Sequence, residues 1–457
     1  MQMSKLGQPP ELLEQGFISI PTLGKAYVES PLPSVSDGTT IRLLIDSELG
    51  EEFSKAREYT FEQAGPRRSL YFEPAKTKAA IVTCGGICPG INDVICSLVH
   101  TLHREYRISS VLGIRYGLSG LIPSYKLGFI ELTPETVANI HESGGTFLGT
   151  SRGPQSVDEV VDTLERLNVN VLFVIGGDGS MKAASEINLA LFRRGKSISI
   201  IGIPKTIDND IFFVPRSFGF ETAVEKSVEA LRCAKVEAMS IRGGIGIVKM
   251  MGRESGFIAA HATLAYRDVD FVLVPESPFE LHGQGGVLDE LERKIVAKGY
   301  ALIAVAEGAG QELIGVPQGS DASGNKRFGD IAAYLMREIE ADFGPRGIPY
   351  YFKYIDPSYM VRSVPAGIND RIYAAALGQH AAHAAMSGRT GMVVAQIMDK
   401  FVHLPFALIT KKRRKINLQS SLWRTVLACT GQGTLITWNP RSPIPDGLHM
   451  KQQGNAL

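Results

Sequence analysis

Three carboxylates and several cations have the types and spacing to move a phosphoryl group. Asp208 and Asp210 lie two apart in Ile203-Pro204-Lys205-Thr206-Ile207-Asp208-Asn209-Asp210. In an extended segment, residues two apart share a face; in a turn, one could cap a helix while the other faces a cleft. The octapeptide alone allows two readings: turn-forming Asp and Asn, or a base beside an alcohol substrate. Asp178 sits in Gly176-Gly177-Asp178-Gly179-Ser180, and a second glycine turn runs Gly85-Gly86-Ile87-Cys88-Pro89-Gly90. Such turns let phosphate approach the backbone, and two of them read as a polyphosphate cradle. A carboxylate inside an anion cradle repels phosphate unless a cation intervenes. Mg²⁺, held by one or two carboxylates plus phosphate oxygens and water, is the natural one. Phosphoryl transfer asks little more of a protein than a positioned base, a metal and positive charge. Lys205, Arg152 and Arg253 could supply that charge. Neither turn is GxxxxGK[ST] or GxGxxG, which argues against P-loop NTPases, protein kinases and dehydrogenases of the common type.

These residues need strands to carry them. Ala79–Thr83, Ser110–Ile114, Val171–Ile175, Ile198–Ile203, Gly246–Met250, Phe271–Val274 and Leu302–Ala306 read as strands. Runs of Val and Ile without polar alternation indicate burial on both faces. Helical stretches are expected over 92–105, 157–167, 181–193, 220–239, 283–297 and 368–388. Strand then helix, repeated, implies a parallel sheet with helices on both sides. Both glycine turns, and the octapeptide, follow strands. Ligands bind beyond the carboxyl ends of strands in such sheets, where helix N-termini present free N–H groups. Residues 1–76 are rich in Pro, Ser and Glu with one strand-like run, Thr40–Ile45, and read as an extension packed on the body or on a partner subunit.

Composition limits the alternatives. Lys plus Arg is 48 and Asp plus Glu is 47, a net charge of +1, which argues against a nucleic-acid coat or a polybasic membrane binder. Hydrophobic residues at 44% and charged residues at 21% exclude global disorder. Glycine is in excess, 48 of 457, as expected where backbone meets ligand. Five cysteines cannot form a disulfide framework, and Cys84, Cys88 and Cys96 lack a second pair to complete a zinc site. No segment reads as a signal peptide or a membrane span. The expected location is cytoplasmic. Glu307 ends a strand, an unusual place for a carboxylate unless it meets a ligand or a cation. Arg362 lies in Tyr359-Met360-Val361-Arg362-Ser363. The run Lys411-Lys412-Arg413-Arg414-Lys415 reads as a solvated loop, with an anion or effector contact as the alternative.

Taken together, GGICPGIN, GGTFLGTSRG, GGDGS, PKTIDNDI, GFETA, MGRESGF, VPE, AEG and YMVRS occur in one order. The chain resembles the phosphofructokinase family over about residues 77–395. It looks like the ATP-dependent branch close in sequence to pyrophosphate-dependent enzymes, as in plants and trypanosomatids. The resemblance implies an α/β fold: two Rossmann-like three-layer α/β/α domains with mainly parallel sheets, the active site in the cleft between them, and an N-terminal extension. The expected division is extension 1–76, ATP-binding domain 77–218 with a return over about 361–395, sugar-phosphate domain 219–360, and a C-terminal segment 396–457 packed on the body or a partner.

The resemblance also implies roles. Asp208 would be the catalytic base for the 1-hydroxyl of fructose 6-phosphate, with Lys205 and Arg253 beside it. Asp178 would hold Mg²⁺ on the β- and γ-phosphates of ATP. Gly86, Arg152, Gly153, Gly177, Gly179 and Ser180 would bind ATP. The sugar phosphate would meet Thr206, Ile207, Met251, Gly252, Arg253, Glu307, Tyr359, Met360, Val361 and Arg362. Lys353 stands where relatives place a basic residue that reaches a neighbouring subunit's site, implying a homodimer or homotetramer. Lys205 replaces the Gly of the bacterial PGTIDND and is shared with pyrophosphate enzymes, and Tyr359 replaces a His. Pyrophosphate enzymes typically carry Asp where this chain has Gly179. Two unit charges at about 4 Å repel by ~1 kcal/mol in water and ~4 kcal/mol near a protein surface, so an Asp there would repel the α-phosphate of a nucleotide. Gly179 therefore predicts ATP as donor, with pyrophosphate dependence as the alternative. A catalytically inactive regulatory subunit is a further alternative, opposed by the intact Asp178 and Asp208. NAD kinases and diacylglycerol kinases share a GGDG turn but not the TIDND and MGR pair.

Overall fold

The Val- and Ile-rich runs build two sheets. The computed structural model describes residues 17–44, 58–315, 319 and 327–433. The larger sheet has seven strands in the order Lys400–Pro405, Met392–Ile397, Ser199–Pro204, Val171–Gly176, Lys78–Thr83, Ser110–Ile114, Phe129–Glu131. Its five inner strands are parallel and both edge strands are antiparallel. The smaller sheet, Phe271–Leu273, Tyr300–Ala306, Gly244–Met250, Tyr351–Ile355, is wholly parallel.

Alternation along each strand sends side chains to two faces. In the larger sheet Ile81, Phe173 and Ile201 share a core with helices Ile91–His100 and Ile368–Met386, whereas Val82, Val174 and Ile200 pack with helices Val157–Arg166 and Asp178–Arg193. In the smaller sheet Val248, Leu302 and Ala304 join helices Phe220–Met239 and Phe257–Tyr266; Ile245, Ile247 and Ile303 meet helices Val287–Lys298 and Ile331–Phe343. Each sheet is thus the middle of three layers. One core runs continuously between the inner faces of both sheets. Each Val, Leu or Ile buried this way stabilises by roughly 1.5–3 kcal/mol.

The structure differs from expectation at several boundaries. The larger sheet extends past residue 395 to the hairpin strand Lys400–Pro405. The helix after Gly177 begins at Asp178, three residues before Met181, so the acidic residue stands in its first turn. Of the N-terminal segment, Thr40–Leu44 pairs with Glu58–Glu62; Ile45 lies outside the described residues, as do 434–457 of the C-terminal segment. Glu62 anchors this strand to the body: its carboxylate accepts from Arg389 Nη2 at 2.5 Å and from His403 Nδ1 at 2.8 Å. No helix among the described residues is long and apolar enough to cross a membrane.

Candidate active site

Strands Lys78–Thr83, Val171–Gly176 and Ser199–Pro204 are parallel neighbours, so their carboxyl ends fall on one edge. Each is followed by one of the singled-out turns. The backbone binds these turns together: Cys84 N–H donates to Ile175 O at 2.8 Å, and Lys205 N–H to Gly176 O at 2.9 Å. The 149–153 loop is tied in by Gly85 N–H to Ser151 O at 3.0 Å and Thr150 Oγ1 to Gly85 O at 2.7 Å. A Cβ on Gly86 would stand 3.9 Å from Arg152 Nη2, and one on Gly85 3.7 Å from Lys205 Nζ. Gly86, Arg152, Lys205 and the Asp178 turn are thus brought together at one edge of the sheet. Gly153 follows Arg152 with φ +85°, and Ser180 lies in the first turn of the Asp178 helix.

Asp178 pairs with Lys182 Nζ at 3.0 Å, one helical turn on. Such exposed i,i+4 pairs are worth a few tenths of a kcal/mol and yield easily to a stronger partner. A Cβ at Gly179 would meet no atom within 4 Å, so this side of the turn opens to free space. One carboxylate beside an open turn suits a Mg²⁺ that keeps its water and phosphate ligands. Among the described residues no three His, Cys, Asp or Glu side chains converge as a metal cage.

The octapeptide folds on itself. Thr206 Oγ1 donates to Asp210 Oδ1 at 2.6 Å and accepts from Asp208 N–H at 3.2 Å. Asn209 takes the left-handed conformation, φ +55°, which Asn tolerates; its side chain accepts from Ser217 N–H at 2.9 Å and donates to Pro215 O at 3.1 Å. Asp208 is left with a buried Oδ1 that no protein group satisfies. Burial first, then the neighbouring Asp210 and Glu307 charges, push its carboxyl up to about 8. The turn-forming reading of the octapeptide therefore holds for Asn209 and Asp210, and the turn they build presents the Asp208 carboxylate.

The smaller sheet supplies the facing wall. Glu307 N–H donates to Met250 O at 2.9 Å and Gly308 N–H to Gly252 O at 3.0 Å, joining the turns after two adjacent strands. Gly252 has φ +130°, and a Cβ on Gly308 would collide with Arg253 O, so both positions require glycine. Ser255 Oγ reaches Asp208 O at 3.3 Å and links the two loops. Arg253 lies 4.6 Å from the Phe328 ring centroid. Burial pushes the Glu307 carboxyl up and the Lys205 ammonium down, each disfavouring charge until a ligand compensates.

The YMVRS residues divide. Tyr359 and Met360 are 74% and 56% exposed, and Arg362 stacks 4.9 Å from the Tyr359 ring with its Nε buried and unpaired. Val361 is buried in the core, so it can reach a ligand only through its backbone. Ile207 is likewise a core side chain. Lys353 lies on the edge strand of the smaller sheet and pairs with Glu237 at 3.6 Å, apart from the rest. Sequence reasoning missed Lys182, whose i,i+4 spacing from Asp178 was a signal. It also missed Arg413 and Arg414, which the structure sets against the octapeptide.

Two α/β sheets with a buried carboxylate, glycine turns and cations at their facing strand ends fit a phosphotransferase. The phosphofructokinase sequence pattern matches residues 78–385. The chain is 49% identical over 380 residues to the ATP-dependent 6-phosphofructokinase of Amycolatopsis methanolica, covering 82% of this chain and 83% of that one. It is 45% identical over 375 residues to that of Trypanosoma cruzi, covering 81% and 76%. A solved pyrophosphate-dependent phosphofructokinase from Marinobacter aquaeolei shares the fold, with a TM-score of 0.65 at 20% identity over 81% of this chain and 94% of that one. The chain belongs to the phosphofructokinase family.

Proposed function

We propose that the protein is an ATP-dependent 6-phosphofructokinase of glycolysis, transferring the γ-phosphoryl of MgATP to the 1-hydroxyl of fructose 6-phosphate to give fructose 1,6-bisphosphate and ADP. The observation that carries this reading is the buried, unsatisfied Asp208 oxygen on a loop hydrogen-bonded into place. A carboxyl held high by burial and like charge takes a proton from an alcohol more readily than an ordinary aspartate. Thr206 and Asn209 fix its loop. Lys205 and Arg253 place positive charge where charge develops on the moving group.

Asp178 would hold Mg²⁺, which when bound neutralises charge on the β- and γ-phosphates. Gly86, Arg152, Gly153, Gly177, Gly179 and Ser180 line the donor side, on the unit 77–218 with its return. Thr206, Met251, Gly252, Arg253, Glu307, Tyr359 and Arg362 line the sugar side, with Ile207, Met360 and Val361 supporting them. The acceptor unit is 219–360. Lys353, with exposed Tyr351 and Tyr354 on the same edge strand, suits contact with a second copy, and we read the protein as a homodimer or homotetramer. Five free cysteines suit a reducing cytoplasm.

The test is a coupled assay for fructose 1,6-bisphosphate with fructose 6-phosphate, Mg²⁺ and ATP. Turnover of ordinary kinase magnitude, ~1–100 per second, is expected. A folded protein with no turnover would overturn the reading.

A further inference from the structure

In the basic run after the last sheet strand Lys411, Lys412 and Lys415 are exposed, as its composition suggests, but Arg413 and Arg414 are half-buried. The run lies along the catalytic octapeptide. Arg413 pairs with Ile211 in an antiparallel bridge, and Arg414 N–H donates to Asp210 O at 2.7 Å. Arg414 Nη1 donates to Pro215 O at 3.0 Å, and its guanidinium stacks 4.5 Å from the Phe257 ring. Further on, Ile416 N–H donates to Glu276 Oε1 at 2.9 Å, and Gly256 N–H donates to the same carboxylate. Residues 413–416 thus strap together the octapeptide, the 253–256 loop and the Val274-Pro275-Glu276 turn.

Arg413 holds the central place in this strap. Its Nη1 stands 3.6 Å from Asp210 Oδ2 and 3.8 Å from Glu254 Oε1. The other Asp210 oxygen accepts from Thr206, whose hydroxyl also receives the Asp208 N–H. A chain of polar contacts therefore runs from Arg413 through Asp210 and Thr206 to the backbone of Asp208. Glu254 sits next to Arg253 on the loop from the other sheet. One cation thereby spans both walls of the cleft. Asp210 is nearly buried, and a buried carboxylate without a cation would repel Asp208 and disturb its loop.

We propose that Arg413 is a positioning residue for phosphoryl transfer: it neutralises Asp210 and ties it to Glu254, so that the loop presenting Asp208 and the loop carrying Arg253 keep one relative placement. The role rests on the phosphofructokinase reading above. It acts on orientation and not on ligand contact, so its loss lowers kcat more than it changes KM. At 3.6 and 3.8 Å the two contacts are ion pairs without the fork geometry that only arginine provides. A lysine should therefore substitute.

The experiment compares wild type, Arg413→Gln, Arg413→Lys and the exposed neighbour Lys411→Gln, each checked for folding by its melting temperature. Arg413→Gln is expected to lose roughly 10–100-fold in kcat with KM for ATP and for fructose 6-phosphate within about threefold. Arg413→Lys should stay within about fivefold of wild-type kcat, and Lys411→Gln should match wild type. Wild-type kcat in Arg413→Gln overturns the role. So does an equal loss in the Gln and Lys variants, which marks a packing effect, or an equal loss in Lys411→Gln, which marks diffuse charge. If Arg413→Gln does not fold, the Lys variant alone decides: near wild-type kcat supports a charge role and a loss beyond tenfold contradicts it. A wild type that does not turn over fails the function reading itself; a wild type that does, matched by Arg413→Gln, fails only this inference.

Discussion

The Thr206 hydroxyl donates to Asp210 at 2.6 Å and accepts the Asp208 amide at 3.2 Å, so one side chain closes the loop that presents the buried Asp208 carboxylate. A hydrogen bond to a charged group is worth about 1.5–3 kcal/mol. Thr206→Val keeps the shape and removes the bond. It should lower kcat by roughly 10–100-fold, the rate equivalent of that energy, while Thr206→Ser stays near wild type. Steady-state kinetics decide, and equal activity in Val and Ser variants would contradict the loop's dependence on this hydroxyl.

Asp208 must be deprotonated to act as a base, and burial followed by Asp210 and Glu307 raises its carboxyl to about 8. Therefore kcat/KM for fructose 6-phosphate should climb with pH on the acid side and level off above about that value. Removing a like charge lowers a raised carboxyl, so Asp210→Asn should move the acid limb to lower pH. A limb that stays in place or moves up would show that Asp210 does not act on Asp208.

We propose that donor choice turns on Gly179. No atom lies within 4 Å of a Cβ there, so Gly179→Asp should fold normally and act on the ligand alone. Its charge would face the nucleotide, and KM for ATP should rise at least about tenfold. Rates with ATP and with pyrophosphate, measured in both proteins, settle the point. Unchanged ATP kinetics in the variant, or a wild type that prefers pyrophosphate, would assign donor choice to Lys205 instead.

Acid stability depends on a buried histidine cluster next to the Glu62 anchor. Burial lowers His380 to about 4 and His383 to about 3; His380 stacks 4.4 Å from the Phe401 ring centroid, and His383 Nδ1 pairs with the Tyr106 hydroxyl at 2.8 Å. A histidine lowered on folding lets the unfolded chain bind protons that the native state does not. Stability is therefore full above about pH 6.5 and falls as pH drops toward the folded values, by up to ~1.4 kcal/mol per pH unit for each histidine. His380→Phe should lose less melting temperature between pH 7 and pH 4 than wild type. An equal or greater loss would count against the cluster.

Much of this was legible in the sequence because strands buried on both faces carry unbroken Val and Ile. Val171–Gly176 and Ser199–Pro204 lie within a residue of where those runs predict them. The edge strand Tyr351–Ile355 gave no such signal: none of its five residues is fully buried, and only Ile355 is aliphatic. Helix Phe257–Tyr266 was hidden because it is buried nearly all round, which erases amphipathic periodicity. The start at Asp178 was missed because glycine usually breaks helices, whereas here Gly179 and Ser180 lie in the first turn. The strap was illegible for a different reason. A basic run reads the same in solvent as against a distant carboxylate, and only the fold brings Arg413 to Asp210, 203 positions earlier in the chain.

The most direct test of the central claim is Asp208→Asn, measured for kcat in the coupled assay and for fructose 6-phosphate binding by calorimetry. A base that contributes as general acid–base catalysis usually does implies a fall in kcat of about 10²–10⁴-fold, with the sugar-phosphate dissociation constant within about threefold of wild type. Near-normal turnover, or a loss of binding that accounts for the whole defect, would contradict the account.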